Sequence, residues 1–156
     1  MISISIPGFR ELHLRYLVLD YNGTLAVERI LLPVVGALLT ELSNQIEIHV
    51  ITGDTFGLAT AQLAQLPVKL RIIPVESQPE TKLAFLESLG AENVVAIGNG
   101  RNDRKMLKAA AVGIALIQQE GASAETIASA DVVSANILDA LELLTHPKRL
   151  IATLRS

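Results

Sequence analysis

Short apolar runs alternate with helical patterns along most of this sequence, and the alternation limits the fold more than any other feature. The runs are rich in Val, Ile and Leu, which is typical of strands buried on both faces of a parallel sheet. A helix between two neighbouring parallel strands forms a right-handed crossover. The sequence therefore predicts an α/β fold with a mainly parallel sheet covered by helices.

Strand and helix boundaries follow from hydrophobic periodicity and from the positions of Pro and Gly. The predicted strands are Ile2–Ile6, Leu12–Asp20, Ile46–Ile51, Val68–Ile73, Val94–Ile97, Val112–Leu116 and Asp131–Val133. The predicted helices are Leu31–Leu42, Phe56–Gln65, Pro79–Leu89, Arg101–Ala110, Ala122–Ala128 and Ile137–Leu144. Pro33 is compatible with the first turn of its helix, where no N–H donor is needed.

The first residues alternate Ile and Ser before a Pro-Gly pair, which is typical of a half-buried strand that ends in a turn. We predict that segment 1–12 pairs with the next strand as an antiparallel hairpin, within a single domain of residues 1–156. The Ile-rich face of this hairpin is a candidate interface between chains, and an edge strand of the same chain is the alternative. The tail 147–156 is expected to dock on the domain or on a neighbouring chain.

Composition excludes several classes of protein. Half of the residues are hydrophobic, but there are three Phe, two Tyr and no Trp, so the core must be aliphatic. A net charge of −3 suggests no basic surface for nucleic acid, and the lack of cysteine excludes disulfides and thiolate metal sites. The sequence has no signal-peptide pattern and no apolar run of about 18–20 residues, so we expect a soluble cytoplasmic protein with no membrane partner.

Four junctions between strands and helices carry polar groups that suit phosphate chemistry. Asp20 ends an apolar strand, and a carboxylate there can attack phosphorus to form an aspartyl-phosphate. Thr52 and Gly53 offer a hydroxyl and a backbone N–H to phosphate oxygens. Lys82 can neutralise negative charge, and the Gly98–Asp103 loop offers side-chain oxygens to a metal ion such as Mg²⁺.

Each of these residues also has an ordinary structural interpretation. An Asp close to a Gly, such as Asp20, is a common turn former, and a lone Lys82 is most often a solvated helix residue. Asp54 or Thr55 alone is best explained as the N-cap of the following helix. The order and strand-end placement of all four groups favour a functional site, because an unrelated α/β domain would rarely combine them.

The chain resembles the haloacid dehalogenase superfamily of phosphotransferases, whose four motifs occur here in the same order. The stretch Asp20–Thr24 (DYNGT) is similar to the nucleophile loop DxDGT, and Thr52, Lys82 and a Gly98–Asp103 loop similar to GDGxND follow it. The segment Pro79–Val133 looks like the phosphorylation domain of P-type ATPases. The resemblance implies a Rossmann-like three-layer fold without a cap domain, close to the small soluble P-type ATPase-like members.

Position by position, the resemblance implies a site for Mg²⁺-dependent phosphoryl transfer with Asp20 as nucleophile. The implied catalytic residues are Asp20, Asn22 and Lys82. The implied phosphate-binding residues are Thr52, Gly53 and Lys82. The implied Mg²⁺ ligands are Asp20, the backbone carbonyl of Asn22, Asn99 and Asp103.

Two substitutions separate this sequence from the usual motifs. Asn22 stands where phosphatases of the superfamily have the Asp that protonates the leaving group and then activates water, and an amide does neither. Because general acid–base help is typically worth about 10²–10⁴-fold, we expect a slow phosphatase or a long-lived aspartyl-phosphate. Asn99 stands where an Asp usually binds the metal, so we expect Mg²⁺ to bind more weakly.

The segment between Thr24 and Thr52 leaves room for one helix and one strand, but not for a cap or a nucleotide-binding domain. Uncapped members of the superfamily act on large substrates or cover the site with a neighbouring subunit. The resemblance therefore implies a homo-oligomer and a phosphorylated substrate of unknown identity. A non-catalytic regulatory module that binds phosphate and Mg²⁺ is the alternative, which the two asparagines favour and the retained carboxylates and lysine oppose.

Overall fold

The computed structural model describes residues 1–54 and 56–156. Over those residues the strands are β1 (Ile2–Ile6), β2 (Arg10–Leu14), β3 (Tyr16–Asp20), β4 (Ala26–Val27), β5 (Ile30–Leu31), β6 (Glu47–Thr52), β7 (Lys69–Ile72), β8 (Val94–Gly98), β9 (Val112–Leu116) and β10 (Val132–Ser134). The helices are α1 (Val35–Leu42), α2 (Leu58–Leu63), α3 (Gln78–Leu89), α4 (Arg104–Ala109), α5 (Ala124–Ser129), α6 (Ile137–Thr145) and α7 (Pro147–Leu154).

The main sheet contains six of the described strands, all parallel, in the order β10-β9-β8-β3-β6-β7. The predicted α/β fold is therefore confirmed. The central strand β3 lies between β6 and β8, so the ends of these three strands meet at the middle of one sheet edge. This edge is where open parallel sheets bind their ligands.

Aliphatic side chains form a core on each face of the sheet. Along β3, Leu17 and Leu19 belong to one buried cluster and Val18 to the other, as the two-residue period of a strand requires. The first cluster packs against α1, α6 and α7, and the second against α3 and α4. The described part of the chain has no helix long and apolar enough to cross a membrane.

The N-terminal hairpin is a separate two-stranded sheet in which β1 and β2 pair antiparallel, as expected. Its isoleucines are buried in the core of the same chain, so the expectation of a free Ile-rich interface is wrong. The alternative, an edge strand of the same chain, agrees with the structure, because among the described residues β1 pairs only with β2, in a two-stranded sheet apart from the main one. The tail forms α7, which buries Leu150 and packs on β1, so it docks on its own domain.

Two predicted elements are divided differently in the structure. The strand predicted as Leu12–Asp20 is broken at Arg15, whose N–H and C=O bond to Asn93 and Glu47. The helix predicted as Leu31–Leu42 begins only at Val35, because Leu31 belongs to a small hairpin of β4 and β5 that the sequence analysis did not find. Pro33 therefore precedes the helix.

The other helix boundaries differ by a few residues. The helix predicted as Phe56–Gln65 is limited to α2, and Arg101–Ala110 begins with a 3-10 turn before α4. No separate cap domain interrupts the described chain at the two usual places. Among the described residues, the small β4–β5 hairpin and α1 lie between β3 and β6, and α2, β7, α3 and a 3-10 turn at Ala91–Asn93 lie between β6 and β8.

Gly113 in β9 provides a test of how tightly α4 packs on the sheet. A Cβ atom at this position would lie 2.1 Å from the backbone oxygen of Leu107 in α4. Backbone cannot relieve so short a contact unless the helix itself shifts. We expect Gly113→Ala to lower the free energy of unfolding by about 1–3 kcal/mol, as overpacked cores do. Urea unfolding followed by circular dichroism measures this loss.

Gly36→Ala is the matched control, because its Cβ would meet only the flexible side chain of Leu66, at 3.1 Å. We expect this variant to remain within about 1 kcal/mol of the wild type, since Ala is also favoured over Gly in a helix. Equal stability of the two variants would contradict the close contact between α4 and β9.

Candidate active site

Asp20 is the last residue of β3 and lies at the centre of the ligand-binding edge, with Thr52 at the end of the neighbouring β6. The next three residues fold back sharply, because the carbonyl of Tyr21 accepts hydrogen bonds from the N–H groups of Thr24, Leu25 and Ala26. This turn leaves the Asp20 side chain 10% exposed at the base of a cavity. A carboxylate in such a position can reach a ligand without being freely solvated.

The buried ammonium of Lys82 joins two carboxylates from different segments. Its Nζ lies 2.8 Å from Oδ1 of Asp20 and 2.7 Å from Oδ1 of Asp103, and the side chain is 1% exposed. Lys82 is on α3, whereas Asp103 ends the 3-10 turn after β8. Two carboxylates and one ammonium leave this buried group with a net negative charge when all three are ionised.

The pKa values of this group reflect the shared lysine. Burial, together with the nearby carboxylate of Asp103, raises the pKa of Asp20 to about 7, although Lys82 opposes the shift. Burial alone would lower the pKa of Lys82, but its two carboxylate partners outweigh that effect and hold the pKa above its usual range. The charge of Lys82 is stabilised by two carboxylates, whereas Asp20 must share its single ammonium partner with Asp103. A further cation would therefore stabilise the ionised form of Asp20.

Asp103 holds the loop that follows β8. Its Oδ2 accepts hydrogen bonds from the N–H groups of Asn99 (3.1 Å) and Gly100 (3.0 Å). A Cβ atom on Gly98 would lie 2.5 Å from the carboxyl carbon of Asp103, so the loop closes this tightly only around a glycine. Both oxygens of Asp103 are engaged and the residue is fully buried, which places it behind Asp20 instead of in the cavity wall.

A cavity of about 330 Å³ opens in front of Asp20. Five of the seven predicted site residues line it, and Lys82 and Asp103 lie beneath them. The lining residues are Asp20, Tyr21, Asn22, Arg29, Thr52, Gly53, Asp54, Phe56, Val75, Gln78, Asn99, Gly100, Asn102 and Glu120. The structure therefore brings all seven predicted residues to one place, in two layers.

The donor atoms beside Asp20 suit a hard cation. Oδ1 of Asn99 is buried and has no hydrogen-bond partner, while Nδ2 of the same residue donates to the carbonyl of Gly121 at 2.9 Å. A buried acceptor without a partner costs free energy, which a bound cation would recover. No cluster of three or more His, Cys, Asp or Glu side chains that could hold a metal exists among the described residues. A site of one carboxylate with amide and backbone oxygens suits Mg²⁺, which usually keeps several waters.

The first and fourth motifs are in direct contact at Gly23. Its backbone has a φ of +78°, and a Cβ atom there would lie 2.3 Å from Nδ2 of Asn99. Gln118 strengthens the same loop, because its Nε2 donates to the carbonyls of Gly23 (2.9 Å) and Thr24 (2.8 Å). Its Oε1 accepts from the N–H of Ile137 at the start of α6. Gln118 was not found from the sequence, since these contacts join distant segments.

Asp54 is not the N-cap residue of α2, which is Gly57, but its side chain still bonds to the start of that helix. Its carboxylate accepts hydrogen bonds from the N–H groups of Ala59 (3.0 Å) and Thr60 (3.2 Å) at the start of α2. The other candidate cap, Thr55, lies outside the described residues. Among the lining residues, Gln78 and Asn102 were not assigned roles from the sequence, and they bond to each other across the cavity wall at 2.6 Å.

Comparison with known proteins agrees with this architecture. Residues 81–139 match the family described as haloacid dehalogenase-like hydrolase. An uncharacterized protein of Methanocaldococcus jannaschii is 48% identical over 83 residues, which cover 51% of this chain and 89% of that protein. A probable cadmium-transporting ATPase of Alkalihalophilus pseudofirmus is 40% identical over 85 residues, covering 53% of this chain but 11% of the transporter.

The fold is also similar to a solved phosphatase structure. The crystal structure of 3-deoxy-D-manno-octulosonate 8-phosphate phosphatase from Moraxella catarrhalis, in complex with a magnesium ion, a phosphate ion and a KDO molecule, superposes with a TM-score of 0.71. The match is 18% identical and covers 92% of this chain and 94% of that one. The chain belongs to the haloacid dehalogenase superfamily, and it is homologous to the phosphorylation domain of P-type ATPases.

Replacing Lys82 tests whether the buried ion contacts hold the site together. Lys82→Met leaves Asp20 and Asp103 without their shared partner, so we expect a loss of about 3–5 kcal/mol in the free energy of unfolding at neutral pH. The double variant Lys82→Met with Asp103→Asn removes one of the two stranded charges and should recover part of that loss. Urea unfolding of both variants measures the difference.

Lys105→Met is the control, because Lys105 pairs with Glu80 at the surface, 2.8 Å away. Exposed ion pairs contribute about 0–1 kcal/mol, so this change should be small. If Lys82→Met cost no more than Lys105→Met, the buried contacts would not be stabilising the site.

Proposed function

We propose that this chain is a Mg²⁺-dependent phosphohydrolase or phosphotransferase in which Asp20 accepts the phosphoryl group. The observation that carries this proposal is the position of Asp20, at the base of the cavity and within 2.8 Å of the buried ammonium of Lys82. Membership of a hydrolase superfamily supports the same reaction class. The substrate is a phosphorylated compound whose identity the fold does not define.

In the proposed reaction, a carboxylate oxygen of Asp20 attacks phosphorus while the bond between phosphorus and the leaving oxygen breaks. The product is an aspartyl-phosphate and an alkoxide that takes up a proton. Lys82 keeps Asp20 oriented and reduces the repulsion between its carboxylate and the phosphoryl oxygens. Thr52 and Gly53 line the cavity beside Asp20, where a hydroxyl and an N–H suit those oxygens.

Asp20, the backbone carbonyl of Asn22 and the amide oxygen of Asn99 would hold Mg²⁺ in this scheme. The ion, when bound, would neutralise charge on the phosphoryl oxygens. Asp103 was also expected to be a ligand, but both of its oxygens are engaged by Lys82 and by two backbone N–H groups. We therefore propose that Asp103 acts mainly by fixing Lys82 and the loop that carries Asn99.

Asn22 sets the expected rate. Its side chain is exposed and the residue lines the cavity, but an amide neither protonates a leaving group nor deprotonates water. We propose that the aspartyl-phosphate forms and then hydrolyses slowly, because the missing acid–base help is worth about 10²–10⁴-fold. Good leaving groups should react best, since they need the least protonation.

A regulatory module that binds phosphate and Mg²⁺ without turnover is the second candidate function. The two asparagines favour it, because each removes a charge that the catalytic cycle normally uses. Binding of beryllofluoride with Mg²⁺, combined with no phosphate release from any substrate, would favour this function over the first. We propose the enzyme as the better supported function, because the full set of Asp20, Lys82 and Asp103 is retained in ion contact.

Asp20→Asn should abolish phosphoryl transfer, because an amide nitrogen or oxygen cannot replace the carboxylate nucleophile. The assay is phosphate release from acetyl phosphate and a panel of phosphomonoesters with Mg²⁺, together with detection of the acid-stable acyl-phosphate on the wild-type chain. Asp139→Asn on α6, away from the cavity lining, is the control and should keep full activity. Equal phosphate release by wild type and Asp20→Asn would refute the nucleophile.

Asn22→Asp should raise the rate of phosphate release, up to about 10²–10⁴-fold, because it restores a group that can exchange protons with the substrate and water. The amount of trapped aspartyl-phosphate at steady state should fall at the same time. Asn44→Asp adds the same charge at an exposed turn far from the cavity lining and should change neither quantity. An unchanged rate in Asn22→Asp would show that Asn22 is not what limits turnover.

A further inference from the structure

A small hairpin stands at the mouth of the cavity, and we name it the flap: β4, the turn Glu28–Arg29 and β5. Both turn residues have left-handed backbones, with φ of +49° for Glu28 and +70° for Arg29. Two-residue hairpin turns of this kind normally use Asn or Gly, because a side chain makes the conformation costly. Strain that is retained beside a cavity is a reason to look for function in the side chain that it presents.

Side chains outside the flap hold its backbone through hydrogen bonds with Tyr21, Glu120 and Gln62. The hydroxyl of the buried Tyr21 donates to the carbonyl of Arg29 at 3.1 Å. The N–H of Glu28 donates to the carboxylate of Glu120 at 3.3 Å, and the N–H of Leu31 donates to Gln62 at 2.9 Å. Tyr21 lies directly after Asp20, so the flap is anchored to the same loop that carries the nucleophile.

Arg29 extends from the flap over the ring of Phe56, with its guanidinium carbon 4.9 Å from the ring centroid. Both residues line the cavity, and Phe56 is 70% exposed although it is a large apolar side chain. Stacking on an aromatic face fixes the plane of a guanidinium and leaves its in-plane N–H groups for another partner. The pair thus holds a charged group ready at the mouth of the cavity.

Arg29 is the one cationic residue among the described residues that line the cavity. It takes part in none of the ion pairs found in the described part of the chain. The nearby carboxylates have other partners, since Asp54 accepts a hydrogen bond from an N–H at the start of α2 and Glu120 accepts one from the flap backbone. The planar guanidinium of Arg29, with no ion-pair partner among the described residues, therefore faces the space that a substrate would enter.

We propose that Arg29 selects phosphomonoesters that carry a second anionic group, by binding that group while the phosphoryl group lies at Asp20. A guanidinium binds carboxylate and phosphate oxygens in pairs, which gives both affinity and orientation. This inference rests on the proposed function, because it assigns the part of the substrate that the transferred phosphoryl group does not define. Arg29 is a specificity residue in this scheme and takes no part in the chemical step.

The test compares substrates that differ only in the second group. In the shorter pair, phosphoglycolate carries a carboxylate where ethyl phosphate carries a methyl group. In the longer pair, phosphogluconate carries a carboxylate where sorbitol phosphate carries a hydroxymethyl group. Propanediol bisphosphate supplies a phosphate as the second anionic group. We expect the wild type to prefer the anionic member of at least one pair, and Arg29→Met to reduce kcat/KM for that member by about tenfold to a hundredfold. The neutral member should change less than about twofold, mainly because its KM does not involve Arg29.

Arg71→Met is the matched control, because Arg71 stacks on Phe85 at 4.6 Å in the same way but does not line the cavity. Binding is measured in parallel by calorimetry with Mg²⁺ on the Asp20→Asn background, so slow turnover does not prevent the comparison. Activity of Arg29→Met on the neutral substrates shows that the variant is folded. If kcat/KM falls in Arg29→Met for the carboxylate compounds, the substrate carries a carboxylate; if it falls for the bisphosphate, the substrate carries a second phosphate.

Two outcomes would overturn the inference while leaving the proposed function intact. One is a wild type that hydrolyses the neutral and anionic members of every pair equally. The other is an anionic preference that survives in Arg29→Met. A chain that neither binds nor hydrolyses any of these compounds, and forms no aspartyl-phosphate from acetyl phosphate, would refute the proposed function together with the inference.

Discussion

The ion contacts of Lys82 with Asp20 and Asp103 join three segments that are far apart in the chain. They connect the end of β3, the helix α3 and the loop after β8 at one edge of the sheet. Burying three charges is costly, and pairs of this kind stabilise a fold only when every oxygen is satisfied. Here the second oxygen of Asp103 bonds to two backbone N–H groups, so the contacts also fix the loop that carries Asn99. The arrangement of the cavity floor depends on this one lysine.

The same contacts support the proposed cation site above them. Asp20 shares its lysine, and its raised pKa reflects incomplete compensation of the buried charge. In a site with a second acidic residue at position 99, a metal would be attracted by one more charge, whereas the amide of Asn99 contributes only a dipole. In the proposed mechanism, Asn22 likewise gives the cavity a neutral group where proton exchange would be needed. Both departures then act in one direction, because they would reduce charge around a phosphoryl group and leave the proposed nucleophile unchanged.

Much of the fold and of the site floor could be predicted from the sequence, because both depend on local patterns. The apolar run of β3 predicts a buried strand. The polar residues that follow parallel strands must meet at the carboxyl edge of the sheet. The flap was missed because Glu28 and Arg29 contain no Gly or Asn to mark a turn, and their conformation depends on tertiary anchors such as Tyr21. The orientation of Asp103 could not be predicted either, because it depends on backbone N–H groups that only the folded loop presents.

The flap and the cavity floor differ in a way that matters for how this chain could choose a substrate. The floor beneath Asp20 is built from the buried Lys82 and Asp103, whose charged groups are paired within the protein, so it can change little without loss of stability. The flap projects the exposed Arg29 over the ring of Phe56, a surface residue outside the flap, so a substitution of Arg29 costs little folding energy. Where no cap domain is inserted, recognition must come from such exposed groups or from another chain. A charged side chain held by a strained turn is what this chain itself presents at the cavity, and its charge is opposite to that of the phosphorylated substrates proposed for the site.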